Sequence, residues 1–250
     1  MVEKPGVGYV SFNLNTDQRH RLTGSFNTDY AWNNRGGWGS NQSIFAQYRP
    51  STRLSMSLGP SYSASHALLQ YVAAIKDVTA TAFYGTRYVV SGINQKSLGL
   101  DTRLSVTFSP TMTLELYAQP FVAAGQYFDL KEFDKPREGS YSIYGKDKGT
   151  VVITRDAKGQ PTNYKIDPDG TGPAAPFNIG NQDFNFRSLR GNVVYRWEYR
   201  PGSTLYFAWT HSRTDTQSFG DFNLGRDEGG MLATRPDNIF LIKASWWLSR

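Results

Sequence analysis

Apolar and polar residues alternate along most of this 250-residue sequence, and the pattern is plainest at its end. Between residues 238 and 250 the alternate positions are apolar and hold Phe240, Ile242, Ala244, Trp246 and Leu248. Lys243 and Ser245 lie between them. A period of two over about a dozen residues predicts a long β-strand with one apolar and one polar side. The chain is therefore limited to folds in which a sheet has one face covered by an apolar environment.

Ten further segments follow the same rule, so we predict eleven strands. They lie at residues 7–15, 20–33, 44–48, 53–62, 67–76, 84–93, 97–109, 112–127, 185–200 and 203–213. Alternation is weakest between residues 67 and 93, and dividing that stretch differently would give twelve strands.

Two long segments, residues 128–183 and 216–237, show no such alternation. The first contains charged pairs, glycines and five of the twelve prolines. This composition predicts long surface loops. Inside the first loop, residues 150–154 and 162–166 flank a short polar turn and predict a small hairpin.

Three predicted tight turns share one sequence pattern. It consists of an aromatic residue, any residue and a proline, followed by a leucine four residues after the proline. The aromatic residues are Tyr48, Phe108 and Tyr199. The parity of this spacing predicts that Arg200 pairs with Thr204 across a three-residue loop, and that the other two hairpins share this register. The tight turns would then lie at one end of the sheet and the long loops at the other. Outer-membrane β-barrels have this asymmetry, with short periplasmic turns and long extracellular loops.

The composition combines 14% aromatic residues with a mean hydropathy of −0.50. A transmembrane barrel has both properties, because lipid-facing residues alternate with polar ones. No run of 18 apolar residues is present, which excludes a helical membrane protein. We therefore expect an all-β fold, an antiparallel transmembrane β-barrel over residues 1–250, in the outer membrane of a Gram-negative bacterium. A soluble β-sandwich is the alternative, but several predicted strands exceed the usual five or six residues.

The net charge of +6 does not indicate nucleic-acid binding, because the basic residues are spread over the strands rather than clustered. The first residues lack the apolar segment of a signal peptide. With eleven strands, the first and last would run in the same direction, whereas bacterial barrels normally have an even number. We therefore expect the C-terminal part of a larger barrel, completed by further strands or by another chain.

The polar sides of the predicted strands carry lumen-lining candidates, namely Arg53, Arg103, Glu115, Arg190, Arg196, Glu198 and Lys243. Two interpretations remain open. These charges could satisfy one another in a cross-strand network, or they could form a basic passage that favours anionic solutes, with Arg190 and Arg196 most important. An aromatic rim is expected at the periplasmic interface and consists of Tyr48, Phe108, Tyr199 and Trp246.

The sequence offers little for catalysis. His211 and Ser212 lie near Asp215, but adjacent residues of a strand point to opposite faces, so a hydrogen bond between base and nucleophile is not expected. Residues 167–170 (Asp-Pro-Asp-Gly) lack the further oxygens and the closing Glu of a calcium loop. We predict no enzymatic activity, no metal and no cofactor.

Residues 183–192 (DFNFRSLRGN) and 196–205 (RWEYRPGSTL) strongly resemble the C-terminal region of domain of unknown function 5916. Residues 117–121 and 236–243 are similar to the same family, so that the resemblance covers roughly residues 67–250 well. It implies a large outer-membrane barrel from Gram-negative bacteria, usually preceded by a family-9-like carbohydrate-binding domain. That domain is absent from this sequence, and the family supplies no catalytic residues to transfer.

The expected function is therefore that of an outer-membrane β-barrel of unknown substrate, either a passive channel or a component of glycan or solute uptake. Its expected partners are the lipid bilayer, the barrel-assembly machinery during insertion, and a carbohydrate-binding domain or a second chain. The alternative is a surface-exposed binding or assembly component that acts through residues 128–183.

Overall fold

The computed structural model describes residues 5–136 and 139–248. Thirteen strands, one α-helix and a short 3-10 turn make up the regular structure of these residues. The elements are β1 (Val7–Asn15), β2 (Leu22–Asn33), β3 (Trp38–Ser51), β4 (Leu54–Lys76), β5 (Thr86–Ser109), β6 (Met112–Phe133), β7 (Tyr141–Ile143), β8 (Thr150–Arg155), β9 (Pro161–Asp167), β10 (Phe177–Gly180), β11 (Phe184–Arg200), β12 (Ser203–Gln217), α1 (Leu224–Ala233) and β13 (Asp237–Ser245). The all-β, antiparallel prediction is confirmed. In the described part of the chain, no helix has the length and apolar character needed to cross a membrane.

Nine long strands form the main sheet, in the order β1-β2-β3-β4-β5-β6-β11-β12-β13, and the short β7 pairs with β6. Each strand is antiparallel to its neighbours. With an odd number of alternating strands, β1 and β13 run in the same direction. Within the described residues these two strands are the edges of the sheet and do not pair with each other.

The strand count predicted from the sequence is wrong because two long strands were each divided into two. The predicted strands at residues 53–62 and 67–76 are both part of β4, and those at 84–93 and 97–109 are both part of β5. Two register shifts interrupt the pairing of β4 with β5 between Ala67 and Ala73. The extra residues lie on β4, where they reverse the parity of the side chains although the strand continues. In β5 the alternation lapses instead at the consecutive polar residues 94–96. The main sheet therefore has nine long strands instead of eleven or twelve.

The two predicted loops contain regular structure. β6 continues to Phe133, and the rest of segment 128–183 contains β7 to β10. The predicted hairpin is confirmed as β8 and β9, which join β10 in a separate three-stranded sheet. Segment 216–237 contains α1, where the side chain of Asn223 caps the first turn by accepting a hydrogen bond from the backbone N–H of Arg226.

The three tight turns have two-residue loops, but the predicted common register is wrong. Pro110 and Pro201 begin their loops, whereas Pro50 lies in β3 before its loop. The residue pairs that close them are Ser51–Leu54, Ser109–Met112 and Arg200–Ser203. The predicted pairing of Arg200 with Thr204 is wrong, because Tyr199 bulges out and Thr204 lies opposite Glu198. Gly202 occupies the turn with φ +76°, a conformation that favours glycine. We call the end of the main sheet at which these turns lie the turn end, and the opposite end of its strands the loop end.

Candidate functional site

Six of the seven lumen-lining candidates lie on one face of the main sheet. Residues directly opposite each other on neighbouring strands point to the same side, and a row of such residues runs from Arg103 through Tyr117 to Asn192. The same register places on this side Glu115, Arg190, Arg196, Glu198 and Lys243. We call this side the polar face. Arg53 lies instead in the two-residue loop between β3 and β4. That these residues line a lumen stays a prediction.

A polar cluster on this face is centred on Tyr117. The guanidinium carbon of Arg103 lies 4.9 Å from the centre of the Tyr117 ring, within range of a cation–π contact. The Tyr117 hydroxyl donates a hydrogen bond to Asp101 at 2.9 Å, and the side chain of Gln119 donates another to the same carboxylate at 3.1 Å. Asp101 is thus held by neutral donors, and its charge does not form an ion pair with Arg103.

Few of the basic residues on the polar face are neutralised by ion pairs. The Arg196 guanidinium lies 3.4 Å from a Glu198 carboxylate oxygen and donates a second hydrogen bond to the Tyr206 hydroxyl at 3.3 Å. Among the described residues, no ion pair includes Arg103, Arg190 or Lys243. The cross-strand salt-bridge network therefore accounts for only part of this charge.

The polar face contains a depression of about 480 Å³ that Arg103, Glu115, Tyr117 and Asn192 line together with the side chain of Gln47 from β3. Ser55 and Ser57 of β4 also line it, so residues from five strands contribute to one concave site. Its donors are guanidinium and amide groups, its acceptors are carboxylate and hydroxyl oxygens, and an aromatic ring forms part of the wall. Such a surface can bind polar and anionic solutes.

The opposite side of the main sheet, which we call the apolar face, carries a band of apolar side chains. On β5 the band extends from Leu98 to Val106, and the pairing places Leu54 to Tyr62 of β4 beside it. Each segment has nine residues, the length that a tilted strand needs to cross the hydrocarbon core of a bilayer. Many of these side chains are exposed, including Leu58 at 46% and Phe207 at 42%.

The four residues of the predicted aromatic rim lie near the turn end. Tyr48 points to the apolar face opposite Met56. Phe108 and Tyr199 occupy equivalent bulge positions just before their turns. The final strand is shorter than predicted because β13 ends at Ser245, so Trp246 lies just after it and is 73% exposed. Their position at a membrane interface stays a prediction.

A buried ionic cluster at the loop end was missed by sequence reasoning. The Glu132 carboxylate of β6 accepts hydrogen bonds from Arg87 at 2.6 and 2.7 Å, from the Tyr144 hydroxyl at 2.7 Å and from Lys148. Arg87 also pairs with Asp77 at 2.7 Å. These residues are separated by up to 71 positions in the sequence, and no local pattern connects them.

A second buried cluster fixes α1 to the apolar face at the loop end. Asp227 is fully buried, 3.1 Å from Arg187 and 2.9 Å from Arg226. Its other carboxylate oxygen accepts a hydrogen bond from Asn185 at 3.1 Å. One hint was available in the sequence, because Arg187 interrupts the apolar side of β11 two residues before Leu189.

Burial changes the acid–base behaviour of the loop end. Desolvation raises the pKa of Tyr144 well above its usual value, and desolvation together with the nearby Arg87 charge lowers the pKa of Lys148. Burial also raises the pKa of Asp183, which accepts a hydrogen bond from the backbone N–H of Tyr127 at 2.7 Å. For these groups the surroundings favour the neutral form.

Asp77 behaves in the opposite way and gives a prediction on pH dependence. Burial alone would raise its pKa, but hydrogen bonds from Thr79 and Arg87 more than offset this and hold the pKa below the usual 3.8. Since the folded pKa is depressed, the stability that Asp77 contributes is present above about pH 4 and is lost as the pH falls through the folded pKa. The protection of backbone amides at the loop end of β4 and β5, measured as the ratio of intrinsic to observed hydrogen-exchange rates, should therefore decrease as the pH falls below about 4.

The matched variant is Asp77→Asn, which we expect to open this hairpin more readily at neutral pH by about 1.5–3 kcal/mol. The acid-induced loss of amide protection should also become smaller in the variant. An unchanged exchange rate at neutral pH, with the same acid response as the parent, would contradict this role of Asp77.

The catalytic and calcium candidates are not assembled into sites. His211 lies opposite Gly191, on the apolar face, and Ser212 lies opposite Arg190, on the polar face. The Asp167 carboxylate accepts a hydrogen bond from the backbone N–H of Gly170 at 2.9 Å and so stabilises its own turn. No group of three or more potential metal ligands occurs among the described residues.

Comparisons with known proteins identify one family. A domain of unknown function (DUF5916) matches residues 1–249, which extends the resemblance to almost the whole chain. No curated protein and no solved structure matches this sequence. Because the match covers far more than half of the residues, the chain belongs to the DUF5916 family.

Proposed function

We propose that the main sheet is part of the wall of a transmembrane β-barrel in the outer membrane of a Gram-negative bacterium. Its apolar face would contact lipid, and its polar face would line a passage for polar solutes. The observation that carries this proposal is the exposed apolar band, which includes Leu58 in the nine-residue segment of β4 and Phe207 of β12. Soluble monomers rarely expose an apolar surface that spans so many strands.

The edges of the sheet also bear on the proposal. In lipid, every backbone N–H and C=O group needs a partner, which an open strand edge does not provide. β1 and β13 are such edges within the described residues, and bacterial barrels normally have an even number of strands. The proposal therefore includes further strands that pair with β1 and β13, from a longer form of the chain or from another chain.

The charge distribution favours anionic solutes. Arg103, Arg190 and Lys243 lie on the polar face and take part in no ion pair among the described residues. Rings or rows of basic side chains attract anions into a passage and lower the barrier to their entry. The depression beside Arg103 and Asn192 offers such a solute amide and hydroxyl partners as well.

Reconstitution of the full-length protein in planar lipid bilayers tests this function. We expect a single-channel current with chloride more permeant than potassium. The double variant Arg103→Gln with Arg190→Gln should reduce the chloride-to-potassium permeability ratio about twofold or more. Arg19→Gln is the matched control, because its side chain is 90% exposed in the turn between β1 and β2 and pairs with Asp17. Absence of any current would contradict the passage, and an unchanged ratio would contradict the role of the basic residues.

A surface-binding role of segment 128–183 is the second candidate. Val152 and Ile153, adjacent on β8, are 61% and 41% exposed. If this hairpin captures a partner at the cell surface, replacing Val152 and Ile153 by serine should abolish capture and leave the ionic current unchanged. Unchanged capture would rule out this contact.

A further inference from the structure

The three-stranded sheet β8–β10 packs against the polar face of the main sheet, not beside it. Val89 of β5 is fully buried and belongs to one apolar cluster with Tyr144, Ile166 and Ile179. Alternate residues of β5 point to the same side, so Val89 shares its side with Arg103. The small sheet therefore covers the face that carries the basic candidates, at the loop end.

A cavity separates the two sheets at this place. It has a volume of about 310 Å³, and Ser91 of β5 lines it together with Tyr164 and Ile179 of the small sheet. Ser91 and its neighbour Ile93 on the same side are 0% and 1% exposed. Because Ser91 lies seven residues beyond Leu98, this covered region is roughly 23 Å along β5 from the end of the apolar band.

The connection from β7 to β8 is fastened to the main sheet through Glu132. Tyr144 and Lys148 both donate hydrogen bonds to the Glu132 carboxylate, and Arg87 of β5 holds the same carboxylate from the main sheet. The Glu132 side chain is only 7% exposed. Removing one member of a buried charged cluster leaves the others without compensation, so this carboxylate has a large effect on whether the connection stays in place.

We propose that β8–β10 is a cap over one mouth of the passage, that Glu132 holds it closed, and that it excludes solutes too large to pass beside it. This inference rests on the proposed function, since a cap has a role only where the polar face borders a passage. It adds a selection by size to the selection by charge. The cap would act beyond the membrane-spanning band, where β4, β5 and β6 extend furthest.

Thiol labelling tests the cap independently of transport, and the chain is suited to it because it contains no cysteine. In Ser91→Cys the thiol lies beneath the cap and should react slowly with a charged, water-soluble maleimide. In Ser105→Cys it lies on the uncovered, exposed part of the polar face and should react rapidly. Adding Glu132→Gln should accelerate labelling at position 91 about tenfold or more and leave position 105 unchanged.

Lys148→Met is a second variant that weakens the contact between the cap and Glu132. It keeps the test valid if Glu132→Gln does not fold. It removes one donor to Glu132 from a side chain that is 32% exposed, and should accelerate labelling at position 91 by a smaller factor. Rapid labelling at position 91 in the parent protein would overturn the cap. The cap would also be overturned if Glu132→Gln and Lys148→Met each accelerated labelling equally at positions 91 and 105, since the whole protein would then have loosened.

Solute entry into liposomes separates this inference from the proposed function. A variant in which a Gly/Ser linker of about six residues replaces residues 150–180 should admit larger oligosaccharides than the parent protein. Equal size limits for the two proteins, both shown to be folded, would overturn the cap and leave the passage intact. If neither protein admits any solute, the proposed passage is contradicted, and so is the cap that depends on it.

Discussion

Leu58→Arg is expected to destabilise the protein in a lipid bilayer by about 2–4 kcal/mol, the cost of an arginine at the midplane of a barrel's lipid face. Leu58 lies on the apolar face, opposite Ala46 and Thr102, and is 46% exposed. If this face met water, the same change would cost within about 0.5 kcal/mol, because exposed surface positions tolerate substitution. The variant therefore distinguishes lipid from water as the environment of this face.

Ser105→Arg is the matched control, because it adds the same side chain to the polar face. Position 105 lies opposite Ser55 and Glu115, so the new guanidinium would have a carboxylate within reach. We expect a change within about 0.5 kcal/mol. Urea unfolding from phospholipid vesicles, followed by tryptophan fluorescence, measures both values. Similar costs for the two variants would be evidence against a lipid-facing band.

Asp227→Ala is expected to cost about 3–5 kcal/mol, since it removes one partner from a buried charged cluster. Arg187, which is only 6% exposed, would lose its contact at 3.1 Å and keep the longer 3.5 Å ion pair with Asp215 and its hydrogen bond to Asn185. The backbone N–H of Asn223, which donates to Asp227 at 3.0 Å, would lose its acceptor as well. We expect α1 to detach from the apolar face and the exposure of Met231 to increase.

Asp221→Ala provides the comparison for this cluster. Asp221 pairs with Arg226 at 2.5 Å, but its side chain is 59% exposed. Exposed ion pairs contribute about 0–1 kcal/mol because water and salt screen them. The two aspartates thus share the Arg226 partner and differ in burial. Unfolding midpoints that shift equally in the two variants would show that burial of Asp227 is not what fixes α1.

Sequence periodicity predicted the faces of the strands better than their number. The alternate positions around Arg103 and Lys243 predicted which side chains share the polar face, since the pleat leaves no other choice. It could not reveal that β4 and β5 are each continuous, because the bulges between Ala67 and Ala73 reverse the side-chain parity in β4 and the polar residues 94–96 interrupt the alternation in β5. A bulge and a strand end have the same effect on an alternating pattern.

The loop-end contacts were outside the reach of such reasoning for a different reason. Glu132 meets Arg87 and Lys148 only after β5 and β6 have paired and the small sheet has folded over them. Side chains brought together by tertiary packing have no fixed spacing in the sequence. Glu132 and Lys148 lie in a segment that was predicted as a loop, because its prolines, glycines and charges are typical of one.

The strand order has a consequence for how quickly the sheet can assemble. Almost every strand pairs with its successor in the chain, so most of the sheet can form from local hairpins. The exception is the junction of β6 with β11, where Gly125 pairs with Phe184 across an intervening segment of 58 residues. Closing a chain loop of this length costs entropy that grows with its logarithm. Because β8–β10 is a sheet of its own, its early folding would shorten the effective loop. The rate at which β1–β6 pair with β11–β13 should therefore depend on how soon this small sheet forms.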